Sequence, residues 1–279
     1  MRKLVFHFFI TNDWRENKAY DIHFNCLNYY KECFDEVYFA LSTEDVSDIE
    51  SLMEVKTKLY DIFRLTKKVT FEILENTSYG EVPTFKKEVV DRLGQDDLVF
   101  FAHTKGVTDV KRHHMDPEGV YNVICGLYYF SLVNARRDNG VMDEITNDLQ
   151  ISTDVISYGS FMTEFRYEAH LKNMYEWYYA GTFFWINSKR LKQYIHINRI
   201  ETPEIIDRYY AENFLGNIYP IYFARNEESE GTTLACSYRQ RYLFSDHANT
   251  VNLNHGIAFI IQGREDEFHS FLKEIKGYV

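Results

Sequence analysis

Four short apolar runs, beginning near Leu4, Val37, Val69 and Leu98, constrain this chain more than any other feature. Each suits a strand buried on both faces, and their spacing of about thirty residues is what a strand–helix–strand unit needs. Between the first pair, Ala19, Ile22, Cys26, Leu27, Tyr30, Cys33 and Phe34 recur with helical period. Ile49, Leu52, Met53, Leu59, Ile62 and Phe63 do the same between the second pair. Before the fourth run, Pro83 suits a first helical turn, and Phe85, Val89, Val90 and Leu93 supply a stripe that Gly94 ends. This alternation predicts an α/β fold with a mostly parallel central sheet. With 45% hydrophobic residues over 279 positions, the chain can close such a core unaided and is not disordered.

The first run follows Met1-Arg2-Lys3 but reads as a strand, not a secretion signal, because Thr11-Asn12-Asp13-Trp14 follows it in place of a small-residue cleavage site. No segment approaches the ~18 uninterrupted apolar residues of a membrane span, so a soluble protein is expected. Thirty-one Lys and Arg against forty-two Asp and Glu give a formal charge of −11, without a basic stripe. Nucleic acid is therefore excluded as a partner, while an anionic small ligand would need a locally positive pocket. Cys26, Cys33, Cys125 and Cys236 show no CxxC pairing and read as reduced, cytoplasmic thiols.

After Lys105 the rhythm changes. A polar loop holding His113 and His114 leads to a predicted helix over 120–134, a strand at Gly181–Ile186, helices over 188–194 and 203–215, and a strand around 218–224. No internal repeat or flexible linker intervenes. The two halves, 1–106 and 107–279 with a C-terminal extension, are read as one domain: a nucleotide half joined to an acceptor half.

Ligands of open parallel sheets bind outside the carboxyl ends of the strands. Here those ends are Thr11-Asn12-Asp13, Ser42-Thr43-Glu44-Asp45, the segment from Glu75 through Asn76, Tyr79 and Gly80 to Glu81, and His103-Thr104-Lys105-Gly106. Any one of them alone is ordinary turn chemistry. The fourth is the most informative, since it sets a cation and a glycine directly behind an apolar strand. Lys105 is placed to meet a phosphate oxygen, and Gly106 lets the backbone approach it. His103 could ligate a metal, donate to phosphate or bond within its loop. Neither GxxxxGK[ST] nor GxGxxG is present where a P-loop or dinucleotide site would need it.

Asn76 through Gly80-Glu81, followed by His103-Thr104-Lys105-Gly106, resembles the N-x-G-x-D and HTK region of the rhamnan synthesis protein F family, glycosyltransferases that build bacterial surface polysaccharides such as capsule and O-antigen. Ala180-Gly181-Thr182-Phe183-Phe184-Trp185 with Ser188-Lys189-Arg190-Leu191 is similar to a second motif of that family, and Tyr210-Ala211-Glu212-Asn213-Phe214 to a third. The three occur in the family's order over residues 76–214. Glu81 stands where the family has Asp, Tyr210 where it has His, and Asn213 where it has Arg, which bears on donor and acceptor identity.

The resemblance implies a GT-A-like nucleotide-binding fold with helices on both faces of the sheet. It implies transfer of a hexosyl or deoxyhexosyl group from a nucleotide-diphosphate sugar to a glycan or lipid-linked acceptor, in the cytoplasm or at the inner face of the membrane. Donor contacts fall to Thr11, Asn12, Asn76, Tyr79, Gly80, Glu81, His103, Thr104, Lys105 and Gly106. GT-A enzymes commonly hold a metal with Asp-x-Asp after the fourth strand. This chain has His103-Thr104-Lys105 there, so Lys105 is expected to supply the charge, with His103 the candidate ligand for Mg²⁺ or Mn²⁺. Asp96-Asp97 lies at the wrong end of that strand. Glu212 is the first candidate for the acceptor's base, with Asp109 and Asp116 behind it. Gly181, Thr182, Phe183 and Trp185 are candidates for acceptor binding, with Trp185 or Phe183 stacking on a sugar face, although at least one of the aromatics must be core. A non-catalytic nucleotide- or carbohydrate-binding module is the alternative reading.

Overall fold

The computed structural model describes residues 1–109, 116–132, 149, 157–159, 162–164, 177–179, 182–202, 204–205, 209–218 and 265–277. Strands β1 (Arg2–Ile10), β2 (Glu36–Thr43), β3 (Lys68–Ile73) and β4 (Leu98–His103) are joined by helix α1 (Lys18–Tyr30), helix α2 (Ile49–Phe63) and the short helix α3 (Val82–Phe85), which widens into a π-turn over Lys86–Val90. Helix α4 (Pro117–Leu132) follows, then short strands β5 (Ser157–Gly159), β6 (Met162–Glu164), β7 (Trp177–Tyr179) and β8 (Phe184–Asn187). Helices α5 (Ser188–Ile197), α6 (Tyr210–Ile218) and α7 (Glu265–Gly277) complete the described elements.

Six strands form one sheet in the order β3-β2-β1-β4-β8-β5. The first four are parallel, and β8 runs antiparallel to both β4 and β5. The fold is therefore α/β with a mostly parallel sheet. Alternation along the strands divides the core in two. Leu4, Phe6, Phe8, Leu98, Phe100 and Trp185 point to one face, packed by α1, α2, α4 and α7. Val5, Val99, Phe101, Phe184 and Ile186 point to the other, under α3, α5 and α6. Side-chain caps fix three helix starts: Asn17 accepts from the Ala19 amide, Asp48 from Ser51 and Asn187 from Arg190. Each is worth about 1 kcal/mol.

The chain winds outward from β1 to β3, then crosses back to place β4 on the other side of β1. That reversal creates a switch point between β1 and β4, where the connecting segments diverge to opposite faces and leave a crevice at the carboxyl ends. The amino ends are closed by charge instead. Lys3 lies 2.9 Å from Glu88 and 3.4 Å from Asp96, all three nearly buried, and Arg92 reaches Asp96 at 3.3 Å.

Several sequence expectations need correction. The third apolar run is not buried on both faces: β3 ends the sheet, with Lys68 and Ile73 exposed, because no described strand pairs beyond it. The Gly181–Ile186 strand starts only at Phe184, since Thr182 has a left-handed φ of 61° that a strand cannot hold. Helix α4 begins three residues before Val120, where the Asp116 carboxylate accepts from the Gly119 amide at 2.7 Å. Ile218 closes α6 and does not open a strand, and 219–224 lie outside the described residues. Among the described residues, no helix is long and apolar enough to cross a membrane.

Candidate functional site

The crevice at the switch point is a cleft of about 340 Å³. Its floor comes from β1 and β4, whose neighbouring residues His7 and His103 pair in register and point to the same face. One wall is the loop from Asn76 to Glu81, which the left-handed Gly80 (φ 56°) turns into α3. The other is the turn after β4, Thr104 to Asp109, and Tyr209 and Glu212, at the start of α6, complete the lining.

Lys105 sits half-buried in that turn. Its backbone is fixed from the far face of the sheet: the buried His23 donates from Nε2 to the Lys105 carbonyl at 2.9 Å and accepts at Nδ1 from the Tyr128 hydroxyl at 2.9 Å. A carbonyl only accepts, so the tautomer follows. Burial lowers the His23 pKa to about 3, which keeps it neutral and in that tautomer. Asn17 donates to the Val107 carbonyl at 2.7 Å and holds the turn two residues on. Gly106 is required between them. Its φ is 84°, and a Cβ there would stand 2.9 Å from Val120 Cγ1 and 3.1 Å from Ile124 Cδ1 on α4. The Lys105 ammonium forms no ion pair with any described residue.

The floor holds a polar cluster. His103 Nδ1 lies 3.6 Å from Glu81 Oε2, and Thr182 Oγ1 lies 3.4 Å from both Glu81 Oε1 and His103 Nε2. Thr182 is fully buried, and its left-handed backbone, strained for a β-branched residue, aims the hydroxyl into this cluster. His7 is held between Thr84 (Nδ1, 2.8 Å) and Ser42 (Nε2, 3.0 Å). Burial lowers its pKa to about 4, against a smaller opposing pull from Glu81.

Of the donor-binding residues expected from the sequence, Asn76, Tyr79, Gly80, Glu81, His103, Thr104, Lys105 and Gly106 line the cleft, as do Asp109 and Glu212. Thr104 spends its hydroxyl on β1, accepting from the Phe9 amide at 2.9 Å. Thr11 and Asn12 do not reach the cleft: Thr11 is buried against the Tyr20 hydroxyl, and the Asn12 amide donates to Glu44. Asp116 caps α4 and is not among the residues that line the cleft. Phe183 and Trp185 are also displaced from their expected role, because both are fully buried. Trp185 stacks on Phe34, packs against Phe100 and donates from Nε1 to the Ser131 carbonyl at 2.9 Å, leaving no ring face for a sugar. Gly181, His113 and His114 lie outside the described residues. Among the described residues no three His, Cys, Asp or Glu side chains converge on one point, and the ring nitrogens of His103 face Glu81 and Thr182.

Sequence reasoning missed His7 and Tyr209. His7 did carry a signal, a titratable residue in the middle of Leu4-Val5-Phe6-His7-Phe8, whose burial needs a reason.

No family model matches the chain, and no curated protein matches it. Among solved structures it is similar to a nucleoside-diphosphate-sugar pyrophosphorylase from Vibrio cholerae RC9, at 11% identity and a TM-score of 0.38, over 78% of this chain and 87% of that one. A likeness that distant carries no argument about activity, so the reading of the site rests on the cleft itself.

Proposed function

We propose that this chain is a glycosyltransferase, taking a sugar from a nucleotide-diphosphate donor and passing it to a cell-surface glycan or lipid-linked acceptor. The observation that carries the reading is the Lys105 ammonium, without an ion-pair partner among the described residues, in a cleft at the switch point of a parallel sheet. A diphosphate entering there would meet the ammonium directly and the turn at Gly106 closely. In the transfer, the acceptor oxygen forms a bond to the anomeric carbon as that carbon's bond to the diphosphate oxygen breaks. The bonding pair leaves with the diphosphate, where Lys105 offsets its charge. The hydroxyl proton passes to a carboxylate of the cleft lining, Glu212 in this reading, with Asp109 as its alternative.

Thermal-shift measurements with UDP, GDP and dTDP and their sugars test the donor class. A ligand at a hundred times its Kd should stabilise the fold by about 2.7 kcal/mol. Lys105→Ala should weaken diphosphate binding by about 1.5–3 kcal/mol, roughly 10- to 100-fold. Unchanged turnover in Lys105→Ala would remove the lysine from the mechanism. Tight binding with no donor hydrolysis or transfer would make the chain a nucleotide-binding module instead.

A further inference from the structure

The outer surface of α2 is divided lengthwise by charge. One flank bears Glu50, Glu54 and Asp61, and Arg15 closes on it, 3.7 Å from Glu50 and 2.9 Å from Glu54. The other holds Ile49, Met53, Lys56 and Tyr60, with Arg64 at the C-cap. These are spaced four, three, four and four residues apart, so they form one line down the helix, with no carboxylate in it. Ile49, Met53 and Tyr60 are 67%, 49% and 53% exposed. This flank overhangs the β3 edge of the sheet, since the Lys56 ammonium lies 5.6 Å from the centre of the Phe71 ring on β3. Before β3 the line continues in the exposed Leu65, Lys67 and Lys68, and Ile73 stands exposed at the carboxyl end of that strand.

A single exposed apolar side chain has no meaning, but a line of them does. Charge decides what covers this one. Lys56, Arg64, Lys67 and Lys68 form no ion pair with any described residue, in a chain of net charge −11. Glu72, the carboxylate within β3, points to the opposite face, where Lys87 and Tyr38 hold it. A second copy docked about a two-fold axis would set these four cations against the same four. Nucleic acid would use the cations and leave the apolar line in water. A bilayer with anionic headgroups accommodates both: the apolar side chains enter the headgroup boundary while the cations reach lipid phosphates beside them.

We infer that the acid-free flank of α2, with the β3 edge beside it, is a docking surface for an anionic lipid bilayer. This inference goes beyond the reading of the cleft and does not depend on it. The two features are neighbours, because Ile73 lies three residues before Asn76, where the cleft wall begins. A bilayer on this edge lies beside the cleft, on the side from which a lipid-linked acceptor would arrive.

Co-sedimentation of the full chain with vesicles tests this, using phosphatidylcholine alone and phosphatidylcholine with about a third phosphatidylglycerol. Binding should require the anionic lipid and fall as salt is raised. Lys67→Gln and Lys68→Gln should each weaken it about fivefold. Ile49→Gln combined with Tyr60→Gln should weaken it at least about tenfold. Both side chains are exposed, so thermal unfolding should match wild type. Ile197→Gln, an exposed apolar position on α5, should bind vesicles as wild type does. Absence of binding to the anionic vesicles, equal binding to both lipids, or full binding by the Ile49 and Tyr60 variant overturns the inference. Light scattering that finds a dimer dissolved by that same variant assigns the face to a second copy and overturns it too. Diphosphate binding by calorimetry is read separately, so either proposal can fail without the other.

Discussion

In the proposed reading Lys105 is offered to the diphosphate on a turn whose backbone is fixed in advance. Its carbonyl is bound by His23, the following carbonyl but one by Asn17, and the glycine between lets the turn lie flat on α4. Gly106→Ala must therefore combine a left-handed backbone with a Cβ at 2.9 Å from Val120. A loss of about 2–5 kcal/mol is expected in urea unfolding, together with weaker diphosphate binding by the folded fraction. The two buried histidines also set an acid limit on stability. His7 and His23 have folded pKa values near 4 and 3 against an ordinary 6.5. Between 6.5 and those values the unfolded chain takes up protons that the native state refuses. Their contribution is complete above pH 6.5 and is lost as pH falls, by up to about 1.4 kcal/mol per pH unit for each ring. Urea midpoints at pH 7.5 and 5.0 should differ accordingly, and His7→Gln should reduce the difference; equal midpoints would contradict the buried, neutral assignment.

At the level of elements, β8 joins the two halves of the chain while its neighbour completes the site. Phe184 and Trp185 alternate between the two faces, and Thr182, two residues before the strand, breaks the alternation to bring a hydroxyl to Glu81 and His103. The aromatic motif thus serves packing, and the threonine beside it serves the cleft. Trp185→Phe should cost about 1–3 kcal/mol, because it strands the Ser131 carbonyl that Nε1 now satisfies. Trp185→Ala should cost about 3–5 kcal/mol. In either variant the folded fraction should bind diphosphate as wild type does, which calorimetry at a temperature below the unfolding transition can check. A tryptophan that stacked on substrate would lose affinity instead.

Across the whole molecule, stability and the proposed function occupy opposite poles of the sheet. The amino ends are locked by Lys3 against Glu88 and Asp96, and the carboxyl ends hold the cleft. Lys3→Met takes the buried cation from two nearly buried carboxylates, leaving them only the partly exposed Arg92, and should cost up to about 3–5 kcal/mol in unfolding while sparing diphosphate affinity. The apolar runs and helical stripes were enough to read β1 to β4 as strands of a mostly parallel sheet and to find the carboxyl-end loops, because strand and helix periodicity are local properties of the chain. They also put Lys105, Gly106, His103 and Glu81 at the carboxyl ends of the strands, where the cleft lies. Which face of the sheet each helix covers, that β3 forms an edge, that Trp185 turns inward, and that His7 and His23 support the cleft were decided by tertiary structure alone. Those facts depend on strands brought together from 96 residues apart, as Arg2 and Leu98 are, and no local pattern records which buried surface will meet which. The sequence by itself set which segments form strands and where polar loops end them; long-range packing set which of those loops share one cavity and which side chains are left facing into it.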